Sequence, residues 1–269
     1  MLILISPAKK LYSAEQLADL PTPPLPATRP LFHDRTQQLV AAIRAKKTPR
    51  QPNGLRTFLA QTMAISEKLA IENEQRYLQF RGGGGTPALF TFAGDTFLGL
   101  APRTWSMMEQ QTAARHLYIL SGLYGLLATT DLIEPYRLEM GAPIDLLGHR
   151  YPHTFWHDSV TTILSKEKNI IVNCASHEYS RVVAVEKMSA PFITIDFKIK
   201  KNGRLQSPGM PIKNLRGRFA HALIQQLTNI KSTTSPNTHL TPDAIRATTI
   251  GHFVFDNKIS RDDYFCFIG

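Results

Sequence analysis

Three short stretches of this chain gather the residue types that bind anions or move protons. Ser6 and Lys9 follow the apolar run Leu2-Ile-Leu-Ile5. Ser121 and Tyr124 follow Leu117–Leu120, and Asp131, Glu134, Tyr136, Arg137 and Glu139 crowd in behind them, beside Gly122, Gly125 and Pro135. Asn173, Ser176, Glu178 and Tyr179 lie at and after the end of the run Ile170–Cys174. Lys9 and Arg137 supply positive charge suited to phosphate or carboxylate, Arg as a bidentate fork and Lys as a point charge. Glu139 and Glu178 are the candidate catalytic groups, fit for acid–base work or for pairing with those cations. Ser6, Ser121 and Ser176 sit at turns, where a hydroxyl commonly bonds local backbone. No Gly-x-Ser-x-Gly elbow marks a nucleophilic serine.

These residues need a scaffold that brings distant segments together. Strands are predicted at Leu2–Ile5, Leu89–Ala93, Leu117–Leu120, Ile170–Cys174 and Phe192–Phe197, with Phe253–Phe255 and Tyr264–Ile268 later. The early ones are continuous apolar runs, as expected where helices cover both sheet faces. Helices are predicted over 33–46, 55–80 (two short helices meeting near Ser66), Phe155–Leu164, Ser180–Glu186 and Arg218–Leu227. The fold class is therefore α/β, a single mixed β-sheet flanked by helices, with residues 1–269 as one domain carrying an inserted helical segment at about 55–80. Loops after the carboxyl ends of parallel strands line the ligand crevice of such sheets. Parallel neighbours would draw Ser6, Lys9, Ser121, Tyr124, Tyr136, Arg137, Asn173, Ser176 and Tyr179 to one ligand-binding pocket. Pro21-Thr-Pro-Pro-Leu-Pro26 reads as an extended connector, and Ser232–His239 as a polar loop. Gly82–Gly85 reads as a hinge before a strand, not a phosphate loop, which would open a helix. Trp105 and Trp156, among apolar neighbours, read as core anchors.

Composition sets the function classes. The chain has 269 residues, 43% hydrophobic and 19% charged, with no apolar stretch near the roughly 20 residues of a membrane span. Met1 leads into a strand without a basic flank, so no secretory signal is expected and the reading is cytoplasmic. Cys174 and Cys266 lie in apolar runs and read as buried, reduced thiols. His149, His153 and His157 are spaced by four, but Pro152 interrupts them; no metal and no cofactor are expected. The net charge of +10 is concentrated. Arg29, Arg35, Arg44, Lys46, Lys47, Arg50 and Arg56 face only Asp34, and Lys198, Lys200, Lys201, Arg204, Lys213, Arg216 and Arg218 share a stretch without acids. Such blocks attract polyanions.

With Leu2-Ile-Leu-Ile-Ser-Pro-Ala-Lys9, Leu120-Ser-Gly-Leu-Tyr-Gly-Leu-Leu127 running on to Gly141, and Asn173-Cys-Ala-Ser-His-Glu-Tyr179 in order, the chain resembles the bacterial YaaA peroxide-stress family. The resemblance implies survival of hydrogen peroxide, double-stranded DNA held in a basic cleft, and limited iron-driven oxidation. Lys9, Lys213, Arg216 and Arg218 are then the expected phosphate contacts, Lys213-Asn-Leu-Arg-Gly217 resembling the family's Lys-x-x-Arg-Gly. It also implies a helix-hairpin-helix at 55–80, which normally turns on a glycine. Here the matching stretch Leu69-Ala-Ile-Glu-Asn73 has none, and Asn73 is the residue able to turn left-handed in its place. Carboxylates such as Glu139 and Glu178 are not needed for phosphate binding alone. They keep a second reading open, an enzyme acting on a nucleotide-like or other small anionic substrate.

Overall fold

The computed structural model describes residues 1–18, 25–232 and 240–269. Residues 19–24, with most of the proline-rich connector, and residues 233–239, with most of the polar loop, lie outside the described residues. Ten strands are described: β1 (Leu2–Ile5), β2 (Thr86–Pro87), β3 (Leu117–Ser121), β4 (Gly125–Ala128), β5 (Leu132–Ile133), β6 (Ile171–Asn173), β7 (Phe192–Lys201), β8 (Arg204–Gln206), β9 (Val254–Phe255) and β10 (Tyr264–Ile268). The helices are α1 (Ala14–Ala18), α2 (His33–Arg44), α3 (Gly54–Met63), α4 (Glu67–Gln79), α5 (Ala88–Thr91) and α6 (Asp95–Leu100). They continue with α7 (Met107–His116), α8 (Pro152–Leu164), α9 (His177–Ser180), α10 (Pro211–Ser232) and α11 (Pro242–Arg246).

The fold is α/β on a mixed sheet ordered β4-β3-β1-β6-β7-β10-β9, with β8 pairing the outer end of β7. The five strands from β3 to β10 run parallel, and β4, β8 and β9 join antiparallel. Ile3, Leu4, Ile5, Ile119, Leu120, Ile171 and Val172 are wholly buried, so both faces of these strands are covered. Leu4 pairs with Tyr118 on one side and Asn173 on the other, and Asn173 pairs with Thr194. That register brings the carboxyl ends of β1, β3 and β6 to a common edge. Trp105 and Trp156 are core residues, Trp156 with no exposed surface.

Several local readings change. Leu89–Ala93 is not a strand: Ala88–Thr91 forms helix α5, buried throughout. A short apolar run carries no period that separates a buried strand from a buried helical turn, and Thr91 ties back to the carbonyls of Thr86 and Pro87. Ser180–Glu186 is not one helix either. The single turn α9 ends at Ser180, Val182 and Val183 turn into the core, and a 3₁₀ turn follows at Val185–Lys187. In the 55–80 segment the two helices do meet at Ser66, whose hydroxyl accepts from Leu69 N. The left-handed residue is Ala64, at φ 47°, closing α3. Asn73 lies inside α4 instead, buried, its amide donating to Leu69 O at 2.7 Å. Residues 69–73 are therefore helix, not a phosphate-facing turn.

Helix α10 crosses α6 with no side chain between them at two points. A Cβ on Gly99 would lie 2.1 Å from Asn214 O, and one on Gly217 only 1.9 Å from Thr96 O. Backbone meets backbone there, so neither wall can yield by moving a flexible side chain. Gly217→Ala is expected to lower unfolding stability by about 1–3 kcal/mol, the usual cost of overpacking. Urea unfolding with an unchanged midpoint would show that the two helices are free to separate.

Candidate functional site

The segment from Ser121 to Gly141 forms two tight strands and then a long extended loop, residues 134–141, and this loop is held by buried phenols. Ser121, with no exposed surface, bonds Tyr136 through its hydroxyl at 2.7 Å and accepts from Tyr124 N at 3.0 Å. The Tyr124 hydroxyl takes the Glu134 amide at 3.0 Å, and Tyr77 donates to the Arg137 carbonyl at 3.0 Å. Tyr179 meets the Met140 backbone. Gly122 is required because the loop lies directly on it: a Cβ would stand 2.3 Å from Leu138 O. Gly125 turns at φ 73° with the Trp156 ring against it. Burial raises Tyr77, Tyr124, Tyr136 and Tyr179 above the ordinary phenol range; for Tyr136 the Ser121 bond opposes the rise and Glu139 adds to it. All four stay protonated and can hold their bonds at neutral pH.

The clamped loop presents Arg137 and Glu139. Glu139 is buried, and its Oε1 takes Arg137 Nε at 3.2 Å, Arg137 Nη2 at 3.1 Å and Lys9 Nζ at 3.0 Å. Its Oε2 is buried with no hydrogen-bond partner among the described residues, beside a cavity of about 10 Å³ under Pro7–Lys9 and Tyr179. Lys9 leads from there into a larger cleft of about 370 Å³ at the carboxyl edge of the sheet. Ser6–Lys10, Ala93–Thr96, Leu98, Ser176, Glu178, Tyr179, Lys213 and Arg216 form its walls. Lys9 and Glu178, from segments far apart in the chain, thus face one hollow. Ser6 Oγ accepts from Ser176 N at 2.9 Å and joins the two loops. Ser121, Tyr124 and Asn173 sit behind the cleft as supports; Asn173 Oδ1 accepts from Ala175 N at 3.0 Å and its amide reaches Thr194 Oγ1 at 3.3 Å.

On the far wall, Arg216 is largely buried and stands 3.6 Å from Asp196, a weak pairing at that length. Asp196 is already engaged by Tyr264, whose hydroxyl donates at 2.6 Å, and by Lys198 at 3.0 Å. Burial pulls the Arg216 guanidinium below its ordinary pKa, with Asp196 opposing. Arg216 is therefore turned inward, whereas Lys213 and Arg218 are exposed.

The two basic blocks have different fates. In the first, Arg44 donates to the carbonyls of Tyr77, Leu78 and Phe80 that end α4. Lys47 and Arg56 pair with buried Glu74, and Arg35 donates to Phe155 O and stacks over its ring. Most of that block is taken up by packing. In the second, Lys200, Lys201 and Arg204 stand exposed on the hairpin of β7 and β8. Asn202 and Gly203, at φ 52° and 73°, make its turn. That dipeptide is the one local signal that would have disclosed the hairpin. Asp196, an acid within the run Phe192–Phe197, was the available clue to the partner of Arg216. The histidines at 149 and 153 pack on Phe155 and Met140 O, and no group of three metal-ligating side chains occurs among the described residues.

A family model described as peroxide stress protein YaaA matches residues 1–250. A UPF0246 protein of Legionella pneumophila (strain Philadelphia 1) is 37% identical over 235 residues, covering 84% of this chain and 86% of that one. Similar proteins of Shewanella denitrificans and Idiomarina loihiensis are 36% and 35% identical, again over 84% of this chain and 86% of theirs.

Both thiols are buried, and burial pushes Cys174 up to about 12 and Cys266 up to about 11. A thiolate, not a thiol, reacts with peroxide or an alkylating agent. Iodoacetamide at pH 8 should leave both cysteines unmodified in the native protein and label them after denaturation, as read by intact mass. Rapid native labelling of either one would reveal a reactive thiol.

Proposed function

Because the chain belongs to the YaaA peroxide stress family, we propose that it acts in the cytoplasm, binds double-stranded DNA through a basic cleft, and limits iron-dependent oxidative damage to it. One observation carries the reading: five cations of the second basic block, Lys200, Lys201, Arg204, Lys213 and Arg218, stay exposed, while Arg35, Arg44, Lys47 and Arg56 of the first are engaged by other groups of the protein. Strand β7 runs on past Asp196 to Lys201, roughly 16 Å at about 3.3 Å per residue. The hairpin therefore reaches out from the sheet edge that also carries the cleft. Lys200, Lys201, Arg204, Lys213 and Arg218 give a surface rich in phosphate-binding cations, and Lys9 lies at its inner end. Backbone contacts of this kind bind without reading sequence. Arg216, facing Asp196, contributes to the cleft more than to its rim.

A second reading, an enzyme acting on a nucleotide-like or small anionic substrate, is favoured by Glu178. This exposed carboxylate lines a cleft otherwise dominated by Lys9, Lys10, Lys213 and Arg216. A carboxylate there weakens phosphate binding, and handling a proton is a role that would use it.

Duplex affinity should fall steeply with salt and vary little with sequence. The double change Lys213→Ala and Arg218→Ala should lower affinity on all duplexes alike. It should also reduce the log–log salt slope by about 2, near one for each phosphate no longer neutralised. Fluorescence anisotropy that shows no change in slope would remove these residues from the DNA surface. Glu178→Gln separates the two readings. Under DNA binding alone, affinity and peroxide survival are both retained; loss of survival with affinity intact assigns proton transfer to Glu178. Its exposure keeps the fold out of the comparison, which a thermal melt checks.

A further inference from the structure

The cleft is closed enough to accept one small ligand, and its charge is out of balance. At about 370 Å³ it lies near the low end of small-molecule sites, which run from roughly 300 to 1,000 Å³. Lys9, Lys10, Lys213 and Arg216 face only Asp95 and Glu178 there. Lys9 shares Glu139 with Arg137, so Glu139 remains neutralised by Arg137 when the lysine turns to another anion. Arg216 is the decisive group. Its Nε is buried with no hydrogen-bond partner among the described residues, its Nη2 stands 3.6 Å from Asp196, and that carboxylate already serves Tyr264 and Lys198. A buried guanidinium with so little compensation is costly unless an anion completes its shell.

We propose that this cleft binds a phosphate monoester of mononucleotide size, its phosphate seated on Arg216, Lys213 and Lys9. The proposal rests on the reading that the cleft takes a small anionic ligand, and it names the class. A terminal phosphate has three free oxygens to divide among the guanidinium and the two ammonium groups, which a single carboxylate lacks. Ser176 Oγ accepts from Ser6 at 3.3 Å and retains its own proton to donate toward the same anion. Ala93, Leu98 and Tyr179 supply the apolar wall for the organic part. Two sources carry this chemistry, a free nucleotide and the phosphorylated end of a DNA strand.

The test is calorimetric titration of the full chain with deoxyadenosine 5′-monophosphate and with deoxyadenosine, followed by competition with one short duplex bearing 5′-phosphate or 5′-hydroxyl ends. The monophosphate should bind and raise the melting temperature, and the nucleoside should not. Arg216→Gln and Lys213→Ala should each weaken monophosphate binding at least tenfold, while Lys258→Ala, exposed and not among the residues lining the cleft, leaves it unchanged. Should Arg216→Gln fail to fold, Lys213→Ala, exposed at the rim, carries the test alone. Stronger competition by the 5′-phosphate duplex identifies a strand end as ligand, and equal competition identifies the free nucleotide. Equal affinity for nucleoside and monophosphate, no binding of either, or monophosphate binding indifferent to Lys213→Ala overturns the proposal. Salt-dependent duplex binding that survives such a result leaves the DNA surface standing, so the two failures are told apart.

Discussion

The backbone contact between α6 and α10 is the constraint on which the cleft depends. Gly99 and Gly217 let the two helices touch through main-chain atoms alone, with Asn214 O and Thr96 O where side chains would otherwise stand. That contact sets how close α10 lies to the loop before α6, and so how near Lys213 and Arg216 come to Gly94, Asp95 and Thr96. It also explains why a basic stretch includes a glycine in mid-helix, where glycine normally costs about 1 kcal/mol relative to alanine. A helix held by flexible side chains would let the cations drift; a helix held by backbone cannot.

Around that fixed wall, charge is managed by pairing and burial. Glu139 gathers Arg137 and Lys9 on one oxygen, and Asp196 gathers Lys198, Tyr264 and, at longer range, Arg216. The two clusters flank the cleft from opposite sides, joined by the Ser6–Ser176 link at its floor. Both rest on groups locked beneath them. Tyr77, Tyr124, Tyr136 and Tyr179 hold a loop that has no ladder of its own, so the loop's ionic residues are positioned by phenols whose burial keeps them protonated. The loop that presents Arg137 and Glu139 is thus preorganised without regular secondary structure.

Net charge is an incomplete guide to such a surface. Seven cations between Arg29 and Arg56 read as a polyanion-binding block, yet Arg44 caps a helix end, Lys47 and Arg56 neutralise a buried glutamate, and Arg35 lies across two aromatic rings. Glu74 in particular would otherwise be a buried, unpaired charge. The second block differs because the β7–β8 hairpin carries Lys200, Lys201 and Arg204 into solvent, beyond Lys198 and its pairing with Asp196.

Elements with a strong local pattern can be read directly from the residues. The apolar runs of β1, β3, β6 and β7 are legible because both their faces are buried, and the motifs after Ile5, Leu120 and Val172 are legible because polar residues there interrupt such runs. The sequence also carried the family, through three motifs in order. Tertiary structure decided the rest, since the deciding contacts join residues far apart in sequence. Whether Ala88–Thr91 coils or extends depends on Pro87 and on its buried neighbours, not on hydrophobicity, which is the same in both states. Whether Arg216 points out or in depends on Asp196 arriving from β7, and whether Ser121 is a reactive hydroxyl or a strut depends on Tyr136 lying 2.7 Å away. A residue type declares which interactions it can make. Only the packing of the sheet edge chooses among them, because each polar group brought there must find a partner before it is free for a ligand.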